Sequence, residues 1–381
     1  MNKINHLYIH VPFCKSICNY CDFCHRIYDT NIVTKWLNTL EKEIKDKCHN
    51  SYETIYLGGG TPTCLDYDEL DKLLSLIEPY SINTKEYTIE VNPETLDLNK
   101  INILKKYHIN RISMGVQSSN DEILLFLNRK HKFTDIKEKI KLLKDNGLNN
   151  ISIDLMYSLP NQTMDILKQT LDDFIKLDVP HVSLYSLTIE ENTVFGKRNI
   201  KPLDIDTEAD MYELIEKTLI ENNYIHYEVS NFCKPNYESK HNMGYWNYDN
   251  FLGLSLGASS KIDNIRYTNT FNFNDYFKDF NAKSEYIELS IEDQKFENIM
   301  MSLRTNVGLN IEEFNRRYNA DLLKEYTKGI NNPNIKIDNG YLKCTNLEIL
   351  NNVLLDFMIY WWVYWKLFLK NGKLNKHCYW V

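Results

Sequence analysis

The length, composition and charge of the chain set the first limits on its function. It has 381 residues, 43% hydrophobic and 25% charged, so we expect a globular protein of two or three domains. A formal net charge of −8 argues against a nucleic-acid partner, because such partners bind basic surfaces. No export signal or run of 18 uncharged apolar residues is found, so we expect a cytoplasmic protein with no transmembrane segment.

Short apolar runs alternate with helical patterns through the first half of the chain. The predicted strands are 7–11, 54–57, 87–91, 111–115, 151–156 and 181–187. The helices predicted between them are 31–48, 67–78, 95–107, 120–127, 135–146 and 164–177. Asp66 with Glu69, and Ser119 with Glu122, have the spacing of a capping box. The alternation indicates α/β units on a parallel sheet, and six successive units favour a partial barrel over an open doubly wound sheet.

The pattern changes after about residue 205. The sequence predicts a helix at 206–222, a loop region at 230–275, helices at 291–304 and 310–328, and short strands at 335–338 and 341–344. This mixture is typical of a smaller α+β module. We therefore predict a barrel domain at 1–235 and a C-terminal domain at 236–358.

Three cysteines follow the first predicted strand closely. Cys14, Cys18 and Cys21 have C-x3-C-x2-C spacing, and three thiolates on one loop suit a four-iron cluster that leaves one iron free. A structural zinc site usually has four ligands, often as two C-x2-C pairs, and no second pair occurs here. Nine cysteines without an export signal also make a disulfide framework improbable. Cys24 is open to three roles: a fourth ligand, a replacement ligand during assembly or, the favoured one, a bystander.

The segment from Tyr8 to Cys14, Tyr-Ile-His-Val-Pro-Phe-Cys, together with Cys18, Tyr20 and Cys21, resembles radical S-adenosylmethionine (radical SAM) proteins. The resemblance extends over about residues 6–357. It is to the branch that contains oxygen-independent coproporphyrinogen III oxidases and HemW-type haem chaperones. It implies a radical SAM partial (β/α)6 barrel with a smaller α+β C-terminal domain. It also implies a [4Fe-4S] cluster on the three cysteines and S-adenosylmethionine as cofactors.

Polar or glycine-rich groups stand at the C-terminal ends of the predicted strands, where ligand-binding residues of a βα barrel gather. After the second strand, Gly58-Gly59-Gly60-Thr61 can bring backbone close to a ligand. Taken singly, each group fits a turn, a helix cap or a core position equally well. By resemblance, the cofactor-contact positions are Tyr8, Tyr20, Gly58, Gly59, Gly60, Thr61, Glu90, Gln117, Arg129 and Asp154.

A second motif lies in the C-terminal module. His241-Asn-Met-Gly-Tyr245-Trp246 resembles the HNxxYW motif of HemW-type proteins. An imidazole can bind haem iron, and aromatic rings can pack on the macrocycle. Without the resemblance, His241 is better explained as an ordinary hydrogen-bonded side chain; with it, haem contact by His241 is favoured. Tyr245 and Trp246 are equally well explained as structural neighbours.

Two features separate the two branches of the family. The oxidases typically have a fourth cysteine two residues after the third, and this chain has Phe23 there. They also usually carry a segment before the cluster, whereas thirteen residues precede Cys14. Both favour a haem chaperone that delivers haem to an acceptor protein. The alternative is oxidative decarboxylation of coproporphyrinogen III to protoporphyrinogen IX, so the sequence leaves open whether the protein is an enzyme. A structural zinc protein is a third, weaker hypothesis.

Three features depart from the family pattern. Ser158 and Ser255 stand where glycine is usual, and we expect each to perturb a loop near the site. The tail at 359–381 holds four of the six tryptophans and matches nothing in the family. It fits either a segment for peripheral membrane or partner contact, or a non-native extension such as a shifted reading frame. The second is favoured, because residues 351–357 resemble a usual family ending.

Overall fold

The structure, a computed structural model, describes residues 3–358. The strands over residues 3–235 are His6–Val11 (β1), Phe13–Cys14 (β2), Arg26–Ile27 (β3), Thr54–Gly59 (β4), Glu86–Val91 (β5), Arg111–Gln117 (β6), Ile151–Tyr157 (β7), His181–Ser186 (β8), Ile225–Glu228 (β9) and Asn231–Cys233 (β10). The helices are Thr30–Lys47 (α1), Tyr67–Ile77 (α2), Leu98–Lys106 (α3), Asp121–Phe126 (α4), Phe133–Asp145 (α5), Met164–Leu177 (α6), Val194–Lys197 (α7) and Ile205–Glu221 (α8).

Residues 236–358 contain further strands and helices. The strands are Phe251–Leu254 (β11), Ser259–Ile262 (β12), Ile265–Asn269 (β13), Lys283–Glu288 (β14), Leu309–Asn310 (β15), Ile335–Asp338 (β16) and Tyr341–Cys344 (β17). The helices are Lys240–Trp246 (α9), Phe273–Lys278 (α10), Ile291–Ser302 (α11), Ile311–Tyr318 (α12), Leu322–Glu325 (α13), Thr327–Ile330 (α14) and Leu350–Leu354 (α15). In this part of the chain, as in residues 3–235, no helix has the length and apolar composition needed to cross a membrane.

A twelve-stranded sheet organises the molecule. Its order is β14-β13-β12-β11-β1-β4-β5-β6-β7-β8-β10-β9, and the strands from β11 to β8 in this order are parallel. β1, β4, β5, β6, β7 and β8 supply the six predicted βα units, so the partial-barrel architecture is confirmed. The strands β11–β14, from the predicted C-terminal domain, continue the same sheet. The division at residue 235 stays a prediction.

The central strands are buried on both faces, as expected for parallel strands covered by helices. Leu57, Ile89 and Ile112 from neighbouring strands are 0% exposed and pack in one core with Leu73 of α2 and Leu104 of α3. A second core lies within residues 246–357. The packed central strands therefore fix the positions of the loops at the C-terminal edge of the sheet.

Three local predictions are wrong. The predicted loop region at 230–275 contains strands of the large sheet and α9, and the predicted helix at 310–328 is divided. Asn319, with a φ of 47°, adopts a left-handed conformation that ends α12. At α4, Asn120 rather than Ser119 is the N-cap, because the Ser119 hydroxyl donates to Asp173 instead. The capping box of Asp66 and Glu69 is confirmed.

Ser158 and Ser255 occupy left-handed backbone, with φ of 58° and 77°. Such a conformation is easy for glycine and strained for serine, which explains why glycine is the usual residue. Each serine makes a hydrogen bond that glycine cannot. Ser255 Oγ accepts from Trp36 Nε1 at 2.7 Å, and Ser158 Oγ donates to Glu208 at 3.3 Å. These bonds offset part of the strain.

Candidate cofactor site

A cavity of about 290 Å³ lies at the C-terminal ends of the parallel strands. Its walls combine the loop after β1 with the last residues of β4, β5, β6 and β7. It brings together most of the predicted site residues: Tyr8, Cys14, Cys18, Tyr20, Cys21, Gly59, Gly60, Thr61, Glu90, Gln117, Arg129 and Asp154. Two predicted residues are not in its lining, Gly58 and His241.

The cysteine loop is attached firmly to the end of α4. The Asn19 backbone N–H donates to the Leu127 carbonyl at 3.1 Å, and its side-chain amide donates to the Phe126 carbonyl at 2.7 Å. From the other side, the Asn128 side chain donates to the Ile17 carbonyl at 2.7 Å. These bonds hold the segment between Cys14 and Cys21 in place without using the thiols.

The three cysteines are free thiols at the cavity wall. Burial raises the pKa of Cys14 to about 11 and also raises the pKa of Cys21. Arg129 Nη1 lies 3.5 Å from Cys18 Sγ, so a positive charge stands beside this sulfur. Within residues 3–358, no three His, Cys, Asp or Glu side chains are arranged to hold a single metal ion. A four-iron cluster requires no such convergence, because its thiolates bind different irons.

The glycine turn after β4 brings backbone to the cavity. Gly59 has a φ of 104°, and a Cβ there would come within 2.3 Å of the His10 ring. A Cβ on Gly60 would lie 2.5 Å from the Phe13 carbonyl oxygen. At Gly58, a Cβ would collide with the Glu90 carboxylate at 2.7 Å. Gly58 is therefore needed for packing behind the wall, whereas Gly59 and Gly60 form the wall itself.

Two carboxyl groups face the same cavity. Glu90 accepts hydrogen bonds from the Tyr56 hydroxyl at 2.9 Å and the Gly59 N–H at 3.0 Å. Burial raises the pKa of Glu90 to about 7, and the nearby Asp154 contributes to the shift. Burial likewise raises the pKa of Asp154 to about 7, against the opposing effect of Arg129. Such carboxyl groups can accept hydrogen bonds from ribose hydroxyls or pair with a bound cation.

Three of the predicted contact residues leave buried polar atoms without partners. Gln117 Oε1, Arg129 Nε and Asp154 Oδ1 make no hydrogen bond to any residue between 3 and 358. Gln117 also has a strained backbone, with a φ of 73°. An unpaired buried polar atom costs about 1–3 kcal/mol, so three in one wall indicate a place for a polar ligand. The residues present therefore fit the cofactor predicted from the sequence, and their individual roles stay predictions.

His241 lies near the opposite end of the sheet, beside the N-terminal residues of β1, β4 and β5. Its side chain is 0% exposed, with Nδ1 2.7 Å from Thr54 Oγ1 and Nε2 2.7 Å from the Tyr245 hydroxyl. Burial lowers its pKa well below the ordinary value and keeps it neutral. Tyr245 and Trp246 of the same motif do line the cavity. His241 itself is therefore not in the cavity lining and is connected to it through Tyr245, and its haem contact stays a prediction.

Sequence analysis missed three residues of the wall. Asn92 donates to Thr61 Oγ1 at 2.9 Å and accepts from Arg129 at 2.7 Å, so it connects two predicted residues. His10 lies two residues after Tyr8, and the period of two along a strand places it on the same face. His25 follows the cysteine loop. Its pKa is lowered by burial.

Comparison with known proteins gives one family. Residues 8–174 match the Radical SAM superfamily. "Heme chaperone HemW" of Lactococcus lactis is 36% identical over 373 residues, which cover 94% of this chain and 98% of that protein. The protein of the same name from Bacillus subtilis is 34% identical, covering 83% of this chain and 87% of the relative. That from Escherichia coli is 35% identical, covering 67% and 70%.

A solved structure agrees with the fold. Coproporphyrinogen III oxidase (HemN) from Escherichia coli, a radical SAM enzyme, superposes with a TM-score of 0.82 over 94% of this chain and 90% of the oxidase. The sequence identity is 21%, so this likeness concerns the fold. It confirms the predicted α/β radical SAM fold with a large, mostly parallel sheet.

Proposed function

Because the chain belongs to the radical SAM superfamily and, within it, to the HemW haem chaperones, we propose that it binds haem and delivers it to acceptor proteins. We further propose that it holds a [4Fe-4S] cluster and S-adenosylmethionine. The observation that carries the proposal is 36% identity to a haem chaperone over nearly the whole length of both chains. The cavity supports it, because free thiols and unpaired polar atoms meet there.

Different residues of the cavity would bind the cluster and S-adenosylmethionine. Cys14, Cys18 and Cys21 would hold the cluster, which when reduced supplies an electron for cleavage of S-adenosylmethionine. Arg129 would place a positive charge beside Cys18 and the bound cluster. The Gly59–Gly60 backbone and the Glu90, Gln117 and Asp154 side chains would orient S-adenosylmethionine by its polar groups.

The oxidase alternative shares the fold but not the cysteine pattern. Phe23 occupies the position at which the oxidases typically have a fourth cysteine, and its side chain is 42% exposed. We therefore favour a chaperone over an enzyme that decarboxylates coproporphyrinogen III.

Anaerobic reconstitution of the full chain tests this proposal. We expect iron and sulfide in the proportions of a four-iron cluster, binding of added haem, and transfer of haem to an apo-haem protein. Tightly bound zinc without a cluster, absence of haem binding, or rapid turnover of coproporphyrinogen III with S-adenosylmethionine would each contradict it.

A cytoplasmic location is also part of the proposal. Residues 359–381, predicted to be a non-native extension, lie outside the described residues. Removal of this tail should leave folding and haem binding unchanged. Loss of folding or of membrane association after the deletion would instead favour a native tail.

A further inference from the structure

His25 lies at the cavity wall, four residues after Cys21. Its Nδ1 is 2.5 Å from the backbone carbonyl oxygen of Phe23 and 3.7 Å from Cys21 Sγ. A carbonyl oxygen can only accept a hydrogen bond, so Nδ1 carries the proton and Nε2 keeps its lone pair. No residue in the described range 3–358 forms a hydrogen bond with Nε2. Metal-binding histidines usually have this arrangement, with one ring nitrogen on a backbone carbonyl and the other available.

The other described histidines lack this combination. Both ring nitrogens are hydrogen bonded in five of them: His6, His10, His181, His226 and His241. The remaining three do not line the cavity: His49, His108 and His131. Among the histidines of residues 3–358, His25 therefore combines a place in the cavity wall with an available nitrogen.

Two exposed aromatic side chains, Phe23 and Phe271, form an aromatic rim on the same cavity as His25. The side chains of Phe23 and Phe271 both line the cavity and remain 42% and 43% exposed. Exposed rings of this kind offer flat apolar faces on which a macrocycle can pack. Cys24, the residue after Phe23, has its Sγ 3.8 Å from the Phe271 carbonyl oxygen.

The size of the cavity limits where a macrocycle fits. A volume of about 290 Å³ is at the lower end for a single drug-sized ligand. S-adenosylmethionine would occupy the interior at Gln117 and Asp154, and the cluster would lie at Cys14, Cys18 and Cys21. A haem bound together with them has to lie at the mouth, where the aromatic rim is.

We propose that haem docks at this mouth, with its iron bound by Nε2 of His25 and its macrocycle packed against Phe23 and Phe271. The inference rests on the proposed function and names the haem site within it. It assigns iron binding to a residue other than His241, whose ring nitrogens are both engaged and whose side chain is 0% exposed. The step is coordination alone: the nitrogen lone pair forms a bond to iron, and no electron is transferred.

Titration of the reconstituted full chain with ferric haem tests the inference. We expect His25→Ala to weaken haem binding at least tenfold and to abolish the spectrum of the histidine-bound iron. Added imidazole should restore that spectrum. His49→Ala is the matched control, because His49 is exposed and outside the cavity, and its haem affinity should be unchanged. Phe23→Ala and Phe271→Ala should each weaken binding a few-fold.

A second variant distinguishes loss of the iron ligand from damage to the structure of the cysteine loop. In His25→Asn, the side-chain amide can still donate to the Phe23 carbonyl but cannot replace the imidazole on iron. We expect it to keep wild-type iron and sulfide and to lose haem affinity. Wild-type affinity in His25→Asn would overturn the inference, as would loss of haem in His241→Ala or Cys24→Ser while His25→Asn retains it. No haem binding by the wild-type chain would instead contradict the proposed function itself.

Discussion

The two ends of the parallel strands carry similar polar residues in different hydrogen-bonding states. At the N-terminal end, Thr54 Oγ1 lies 2.8 Å from His6 Nδ1 and 2.7 Å from His241 Nδ1. The connected bonds continue from His6 to Asp249 and from His241 to Tyr245. Nearby, His181 lies 2.7 Å from Ser152 Oγ and 2.9 Å from the Tyr227 hydroxyl.

The C-terminal end leaves comparable groups unpaired. Gln117, Arg129 and Asp154 each have a buried atom with no partner in the part of the chain that is described. A connected network fixes the position of the elements that it joins, whereas unpaired atoms reduce stability until a ligand arrives. Unpaired buried atoms also occur at the N-terminal end, at Arg111 and Asn150, but these residues do not line the cavity. The difference is therefore that the unpaired atoms at the C-terminal end lie in a cavity wall, where a ligand can satisfy them. Four variants test this comparison.

The largest effect is expected at the cysteine loop. Cys18→Ser should remove the iron–sulfur cluster almost completely, because a serine hydroxyl is a poor replacement for a thiolate on iron. Iron and sulfide analysis after anaerobic reconstitution measures the loss. Cys24→Ser serves as the comparison and should retain the cluster, and a large loss of iron in that variant would make Cys24 a ligand.

At the opposite end, Thr54→Val should destabilise the fold and spare the cavity. Thr54 is 2% exposed, and valine would leave ring nitrogens of both His6 and His241 unpaired. We expect the free energy of unfolding to fall by about 3 kcal/mol in denaturant titrations. Thr54→Ser keeps the hydroxyl and should lose about 1 kcal/mol. Equal losses in the two variants would show that the hydroxyl does not matter.

Because burial raises the pKa of Asp154, we expect the stability of the fold to change with pH in the opposite direction from that given by an ion-paired carboxylate. The pKa of Asp154 is about 7 in the folded protein and ordinary in the unfolded chain, so between these values the folded state binds more protons. Stability should therefore fall as pH rises from about 4 to about 7. Asp154→Asn is neutral throughout, so its stability relative to wild type should increase over this range.

We expect this relative gain to be about 3 kcal/mol between pH 5 and pH 8 in the cluster-free protein. Denaturant titrations of both proteins at pH 5 and pH 8 measure it. Comparing variant with wild type cancels the contributions of groups that Asp154 does not influence. Glu90 is an exception, because the Asp154 charge helps to raise its pKa and Asp154→Asn removes that effect. A difference that does not change with pH would mean that Asp154 ionises normally in the folded state.

A smaller effect is expected at Gln117. Gln117→Leu removes the unpaired Oε1 and should weaken binding of S-adenosylmethionine by about tenfold, which corresponds to about 1.4 kcal/mol. Equilibrium dialysis against the reconstituted protein measures the change. Its stability without ligand should not decrease, because the atom removed has no partner to lose. Unchanged affinity would exclude Gln117 from the binding site.

The sequence allowed the barrel to be predicted because its signals are local. Six apolar runs alternating with helices matched the six parallel strands to within two residues at each end. The strand β11 was missed because its partner is β1, far away in the chain, and nothing in its Asn- and Tyr-rich surroundings reveals that pairing. Long-range pairing of this kind cannot be recognised from composition.

The candidate site was predictable to a similar extent. Glu90 and Asp154, which lie within β5 and β7, were predicted by resemblance to the family, and the expectation that strand ends meet at one edge supported them only as a group. The motif around His241 gave no information about which end of the sheet it would contact. His25 was missed because its significance depends on which ring nitrogen the Phe23 carbonyl engages, and that is a property of the folded loop.

The hydrogen bond between Trp36 and Ser255 couples residues 219 positions apart in the chain. Restoring glycine at 255 would relax the backbone but leave the indole N–H without its acceptor in a fully buried place. Conversely, replacing Trp36 would leave the strained serine without its compensating bond. The two positions are therefore expected to be epistatic, so that either change is tolerated better when the other accompanies it. A change between glycine and serine at position 255 is therefore expected to require a matching change at Trp36 in α1.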